Sequence, residues 1–338
     1  MLLKTPSKKA IGGRLSQLRE DTLSDLFNLP VKKNIRRLLI MKAKVVCAVI
    51  GIFLLVLPGF SVAAEKQKGY PLSDEKITDT RKNLPNYNFE FGLMYWRLDY
   101  KEDLPAPKKS TENGWLPGVY LGFNYNKKND FYSKIFFEFS FGDVEFDGTT
   151  QAGTPIRFST DNYQSFFRGE LDVGYNFAIT GNISIKPYTG YGYRQWERGQ
   201  ASVTATYTSY KEKYYWHYIP VGVAADINCG KRVVIEPNVG LRIMFYGKMT
   251  AYFSELDPAY NDPEFKLGNR IGYYAEVPLR YKFSQSWSVI IKPWYEYSEI
   301  GQSDTVDLTT NGVVTGAAYE PSSRTHLYGV NLGVVYSY

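Results

Sequence analysis

The 338-residue chain has little cysteine, two residues, and equally little histidine. It also has little continuous hydrophobicity, since its one long apolar run covers only residues 45–57. A helical membrane span needs about twenty consecutive apolar residues, so a bundle of such spans is excluded. Cys47 and Cys229 cannot form a disulfide framework, and no His or Cys residues stand at the close spacing of a metal site. There is no Gly-rich loop between a strand and a helix to cradle phosphate, and no nucleophile elbow. The Gly190-Tyr191-Gly192 stretch alternates as a strand with small residues on one face. Nothing in the sequence calls for a cofactor or a metal.

Aromatic residues and glycine are plentiful: 29 Tyr, 20 Phe, 6 Trp and 29 Gly. The mean hydropathy is nevertheless −0.32, so the chain is aromatic without being hydrophobic. A transmembrane β-barrel has that composition, because only alternate residues face lipid.

The apolar run at 45–57 follows Lys42 and Lys44 and precedes the small-residue site Val62-Ala63-Ala64. A basic start, a short apolar stretch and small residues make a secretory signal peptide over residues 41–64, with cleavage expected after Ala64. Residues 1–40 are either an extension upstream of a true start at Met41 or an unusually long basic leader; the first is favoured. Eleven of the 40 basic and three of the 34 acidic side chains lie in residues 1–64, leaving 29 and 31 for the rest. The basic balance of the whole chain therefore gives no reason to expect a nucleic-acid partner. Residues 65–86 are polar and lack periodicity, as a flexible periplasmic lead would.

From Phe89 onward the period is two. Phe89, Phe91, Leu93 and Tyr95 alternate with Glu90, Gly92, Met94 and Trp96, and the pattern recurs to the last residue. Short turns, at 126–130, 180–182, 228–231 and 284–286, alternate with longer polar connections at 104–116, 147–161, 199–210, 254–265 and 302–323. That spacing predicts an all-β, antiparallel, up-and-down transmembrane barrel of about ten strands over residues 87–338, with short periplasmic turns and long extracellular loops. Pro187, Pro220, Pro237, Pro278 and Pro293 remove ladder donors, which places several of them at bulges or near a rim.

The face opposite the apolar one is charged. Lys134, Arg168, Lys186, Arg194, Arg242, Lys248, Arg280, Lys282 and Lys292 are set against Glu90, Glu138, Glu170, Asp172, Asp226, Glu236, Glu276 and Glu296. In a bore this narrow such side chains meet and pair, so a closed, salt-bridged interior is expected in preference to a conducting one.

Two resemblances add to this. The terminal stretch, with Val330, Leu332, Val334, Tyr336 and Tyr338 at every second position, resembles the carboxy-terminal signal by which the barrel assembly machinery takes up bacterial outer-membrane barrels. PYTGYGYRQWERG and YKEKYYWHYIPVGVAADI are similar to the fifth and sixth strands of the omptins, ten-stranded outer-membrane endopeptidases that cut between basic residues using an Asp-Asp and an Asp-His pair. The resemblance implies an outer-membrane location in a Gram-negative bacterium and contact with membrane lipid. Glu145 and Asp147 in GDVEFDG stand where the resemblance puts the Asp-Asp pair. The loop after the seventh strand offers Asp257 but no histidine, and His217 and His326 fall on the lipid-facing register near the outer rim. The family's general base is therefore unmatched. Lys211 and Lys213 alternate onto the outer face above the apolar band, where they are candidates for lipopolysaccharide phosphates, Lys213 at a position basic in omptins. These residues point to a surface-exposed, non-enzymatic barrel that binds a partner through its loops or serves as a structural component. An omptin-like endopeptidase with altered catalytic groups stands second, and a small channel third.

Overall fold

A computed structural model describes residues 87–149, 155–158, 163–199, 202–204, 207–208 and 210–338. The expected leader, signal peptide and periplasmic lead at residues 1–86 lie outside these residues.

Each alternating stretch forms a strand. β1 is Tyr87–Glu102, β2 Ser110–Asn126, β3 Asp130–Asp143, β4 Tyr163–Ala178, β5 Ile183–Arg198 and β6 Lys211–Cys229. β7 comprises Val233–Ile235 and Asn238–Tyr252, and β8 comprises Ile271–Glu276 and Leu279–Lys282. β9 is Trp287–Ile300 and β10 Ser323–Ser337. Every strand pairs antiparallel with its chain neighbours, and β10 pairs with both β9 and β1, so the sheet closes into a ten-stranded barrel. Closure leaves no unpaired edge, the only way a sheet can stand in hydrocarbon. The seam is sealed by Tyr87 and Tyr338, whose backbones exchange hydrogen bonds of 3.3 and 3.0 Å and whose rings stack at 5.4 Å.

The outer face is banded. Leu93, Val239 and Leu332, between 56 and 61% exposed, represent an aliphatic belt around the middle of the strands. Toward the turns it is bordered by aromatic pairs such as Trp287–Tyr336, tilted against each other, and toward the loops by the stacked pairs Tyr95–Trp115 and Tyr273–Tyr297. Two aromatic girdles around an apolar band mark the two interfaces of an outer-membrane barrel.

The turns carry their own chemistry. Gly230 holds a positive φ of 81° in the turn after β6, and Thr180 Oγ1 accepts the backbone N–H groups of Asn182 and Ile183 in the turn after β4. At the other end the strands run well past the girdle. A strand needs only about ten residues to cross a membrane, and these have fourteen or more wherever they are continuous.

Two expectations, the extent of the connection at 104–116 and the inward direction of Lys248, need correction. The connection placed at 104–116 is mostly strand, because Ser110–Asn113 pairs with Glu145–Thr149 above the girdle. The prolines divide into two groups. Pro237 and Pro278 interrupt their strands, whereas Pro187, Pro220 and Pro293 lie within continuous ones. Lys248 does not face the interior. A bulge between β6 and β7 sets His217 opposite Tyr246 but Tyr218 opposite Met244, which inserts Phe245 and reverses every later side chain. Met249 and Ala251 then turn inward, and Lys248 turns outward to pair with Glu264.

An arginine placed in the middle of the lipid belt tests this orientation. Leu332→Arg is expected to lower the unfolding free energy in lipid vesicles by about 2–4 kcal/mol, whereas Asn331→Ser, one residue away on the inner face, is expected to change it by much less. Equal losses from the two, read from urea-unfolding midpoints, would contradict the assignment of faces.

Candidate functional site

The lumen is filled in layers. Near the turns, Lys186 pairs with Asp226 at 2.5 Å, Arg280 with Glu236 at 3.0 Å and Lys292 with Glu90 at 2.6 Å. Half way up, Glu296 lies among three guanidiniums: Arg194 at 2.6 and 2.8 Å, Arg242 at 2.6 Å and Arg168 at 3.1 Å. Arg168 also reaches Glu138 at 2.8 Å and Arg242 reaches Glu170 at 3.1 Å, so three arginines are matched by three glutamates. Tyrosines fill the remaining width by lying over glycines; a Cβ on Gly192 would stand 2.1 Å from the Tyr218 ring. Two interior cavities of about 30 and 60 Å³ lie between these layers, each with room for a few waters. The expected salt-bridged interior is present.

Above the arginine layer the filling becomes apolar. Trp96, Leu98, Leu116, Phe166, Trp196 and Trp216 are all buried there, and Phe166 stacks on Trp196 at 5.2 Å. Over this plug, at the loop end, lies a polar cluster of different balance. Arg198 contacts Glu112 and Glu212, each at 2.5 Å, and has Glu102 at 4.0 Å. Its guanidinium lies over the rings of Tyr100 and Trp196 at 5.1 and 5.4 Å. Gln164 donates to Glu112 at 2.8 Å and accepts from the Trp196 indole. Tyr214 Oη lies 3.1 Å from Glu212 and 2.7 Å from Glu320. Glu102, Glu112, Glu212 and Glu320 are all buried, and Arg198 reaches the first three of them. Burial, with the charges of Glu212 and Glu102 adding to it, pushes the Glu320 carboxyl up to about 8.

The residues expected to act elsewhere are dispersed. Glu145 and Asp147 lie on Glu145–Thr149, whose Phe146 and Gly148 are buried while the two acids are half-exposed. Asp147 takes Lys109 at 2.7 Å. Asp257 is exposed after the single turn Phe253–Glu255, and its carboxylate accepts the backbone N–H of Ala259. Each of Asp147 and Asp257 is thus engaged close to its own loop. Both histidines stand on the outward face: His217 shares a hydrogen bond with Tyr191 at 2.5 Å and His326 with Tyr295 at 2.8 Å. Lys213 lies on the outer surface of β6, 3.6 Å from Glu197, and Lys211 sits over the Tyr252 ring at 5.1 Å.

The Arg198 cluster was missing from the sequence reading, although its signal was there. If Lys211 and Lys213 point outward, Glu212 and Tyr214 must point inward, and the alternation through Arg194 continues to Trp196 and Arg198. Glu320 had no such signal, because it belongs to a loop.

No family model matches the chain, and no curated protein matches it. Among solved structures it is similar to the outer membrane protease OmpT of Escherichia coli, at 10% identity and a TM-score of 0.51, covering 76% of this chain and 98% of that one. Looser matches are the outer membrane protein OprG of Pseudomonas aeruginosa (10% identity, 75% and 97% covered, TM-score 0.35) and the transport unit of the Escherichia coli autotransporter AIDA-I (12%, 78% and 97%, 0.39). At 10% identity the likeness to the protease shows the barrel fold alone.

The arginine layer makes its own forecast. Glu296→Ala leaves three guanidiniums facing one another without their shared partner, and a loss of about 3–5 kcal/mol is expected. Urea-unfolding midpoints in vesicles would register it. An unchanged midpoint would mean that water enters the lumen freely enough to screen the arginines.

Proposed function

We propose that this chain is a non-enzymatic protein of the bacterial outer membrane, exported by the signal peptide at residues 41–64, whose extracellular loops bind a partner at the cell surface. The observation that carries this reading is the placement of both histidines, His217 and His326, on the lipid-facing surface, each bonded to a tyrosine. A hydrolase that activates water at the barrel mouth needs a proton acceptor facing the mouth. The polar groups at the mouth are instead bonded to one another around Arg198. The paired charges of the lumen argue in the same direction against a conducting role, which usually needs a sign bias along the lining.

The likeness to an outer membrane protease favours a second reading, an endopeptidase with altered catalytic groups. In that reading Glu145 and Asp147 would be the acids, with Asp257 across the mouth. Membrane lipid is the immediate partner in either case, and Lys211 and Lys213, just above the loop-side girdle, are suited to lipopolysaccharide phosphates. Val330, Leu332, Val334, Tyr336 and Tyr338 would present the strand by which the barrel assembly machinery takes up the chain.

The refolded protein is expected to leave dibasic peptides intact and to give no single-channel steps in a planar bilayer. Peptide cleavage that disappears in Glu145→Ala or Asp147→Ala would overturn the non-enzymatic reading. Replacing Lys211 and Lys213 by alanine is expected to weaken lipopolysaccharide binding by about fivefold per lysine at low salt, with no change in the barrel's circular dichroism. Unaltered affinity would remove the two lysines from that site.

A further inference from the structure

Charge is divided unevenly between the connections at the two ends of the barrel. At the outer end the loops 254–264 and 302–322 hold four and three acidic side chains and no basic one. At the other end the turns between hairpins hold Lys127, Lys128, Lys231 and Arg232, all exposed, with Asp130 as their one acid. The turn at 284–286 reads Ser-Gln-Ser, so these cations stand on one side of the rim.

The turns on that side form a continuous arc. Lys128 Nζ donates to the carbonyl of Gly181 at 2.9 Å, and the backbone N–H of Asn228 donates to the carbonyl of Asn182 at 2.8 Å. Asn129 holds the first turn against β4, donating its N–H to the Asn176 carbonyl and accepting the Ala178 N–H on its side chain. Asp130 pairs with Lys127 at 2.9 Å. With four cations and one acid, the arc has a net charge of +3.

Its depth is set by the turn-side girdle. The phenol of Tyr125 donates to Asp130 at 3.4 Å, that of Tyr175 donates to the carbonyl of Asn129 at 2.7 Å, and Arg232 donates to that of Tyr281 at 3.4 Å. All three tyrosines belong to the lipid-facing register, with Phe131, Phe177 and Phe283 exposed beside them. The rings of an aromatic belt lie at headgroup level. Turns bonded directly to those hydroxyls therefore carry their cations at the depth of lipid phosphate, closer to it than the screening length of about 8 Å in physiological salt.

We propose that the turns at 126–130, 180–182 and 228–232 form a binding surface for anionic phospholipids of the periplasmic leaflet, with headgroup phosphates seated along Lys128, Lys231 and Arg232. The acyl chains lie against the exposed rings above. Selection is by charge: phosphatidylglycerol, with one net negative charge, is favoured over zwitterionic phosphatidylcholine. The surface lies at the opposite interface from Lys211 and Lys213 and is independent of what the loops bind.

Cys229, exposed within the arc, supplies the probe. The full chain, with a fluorophore on Cys229 in a Cys47→Ser background, is refolded into phosphatidylcholine vesicles. These are doped with phosphatidylglycerol or phosphatidylcholine carrying a nitroxide quencher near the top of one acyl chain. At low salt phosphatidylglycerol is expected to quench as though about fivefold enriched at the label, the attraction of one lipid charge to one nearby cation. Molar salt is expected to bring that preference close to one. Replacing Lys128, Lys231 and Arg232 together by alanine is expected to abolish it, and a fluorophore on Gln285→Cys, in a Cys47→Ser, Cys229→Ser background, is expected to show none. Equal quenching by the two lipids at Cys229, a preference that survives the triple replacement, or the same preference at position 285 overturns the proposal. Circular dichroism confirms that each variant is folded, and should the triple variant fail to refold, the comparison with position 285 and the salt dependence decide the question.

Discussion

Hydrocarbon offers no partner to a backbone N–H or C=O, and that constraint governs the whole molecule. Each strand must be paired on both sides, so β10 has to meet β1, and the residues that seal this seam are as necessary as those in the middle of the sheet. Closure at ten strands then sets the width of the bore. A bore that width cannot be left empty without losing packing, and it cannot be filled with apolar side chains alone when alternate positions must serve an aqueous assembly route and two wet ends.

The solution seen here changes with depth. Near the turns and at mid-height, lysines and arginines are matched closely by carboxylates, with Glu296 at the meeting point of three guanidiniums. Such ion pairs contribute little net stability against an apolar filling, but removing one partner is costly. They therefore hold the strands in one register. Higher up, tryptophans, leucines and phenylalanines form an apolar plug, and on top of it Arg198 gathers Glu102, Glu112 and Glu212, with Glu320 bonded to Tyr214 beside them. At the outer end a loop supplies one of the four acids, Glu320.

The region above the girdle is consequently more ordered than its polar composition suggests. Strands β1 and β2 extend past the aromatic ring, Glu145–Thr149 pairs with β2 and with Pro155–Phe158, and Glu264–Lys266 adds to β7 beyond its bulge. The 301–322 hairpin joins this wall through backbone bonds to Gly268, to Asp103 and to the 259–261 stretch.

The alternation from Phe89 to Tyr338 determined by itself the strand count, which face of each strand meets lipid, the side on which the short turns lie and nearly all of the paired charges in the bore. Those follow from a period of two, which is local and needs no knowledge of neighbours. The tertiary structure alone decided where that period breaks. The inserted Phe245 turns Lys248 out of the lumen, and Ser110–Asn113 becomes strand only because Glu145–Thr149 is there to pair with it. It also decided that Glu320, in a loop without any pattern, shares a buried site with Glu212, more than a hundred residues earlier in the chain. Sequence records the direction in which a side chain points along its own strand. Which side chains then meet across a closed barrel depends on stagger, bulges and loop return, and these are properties of the assembled sheet.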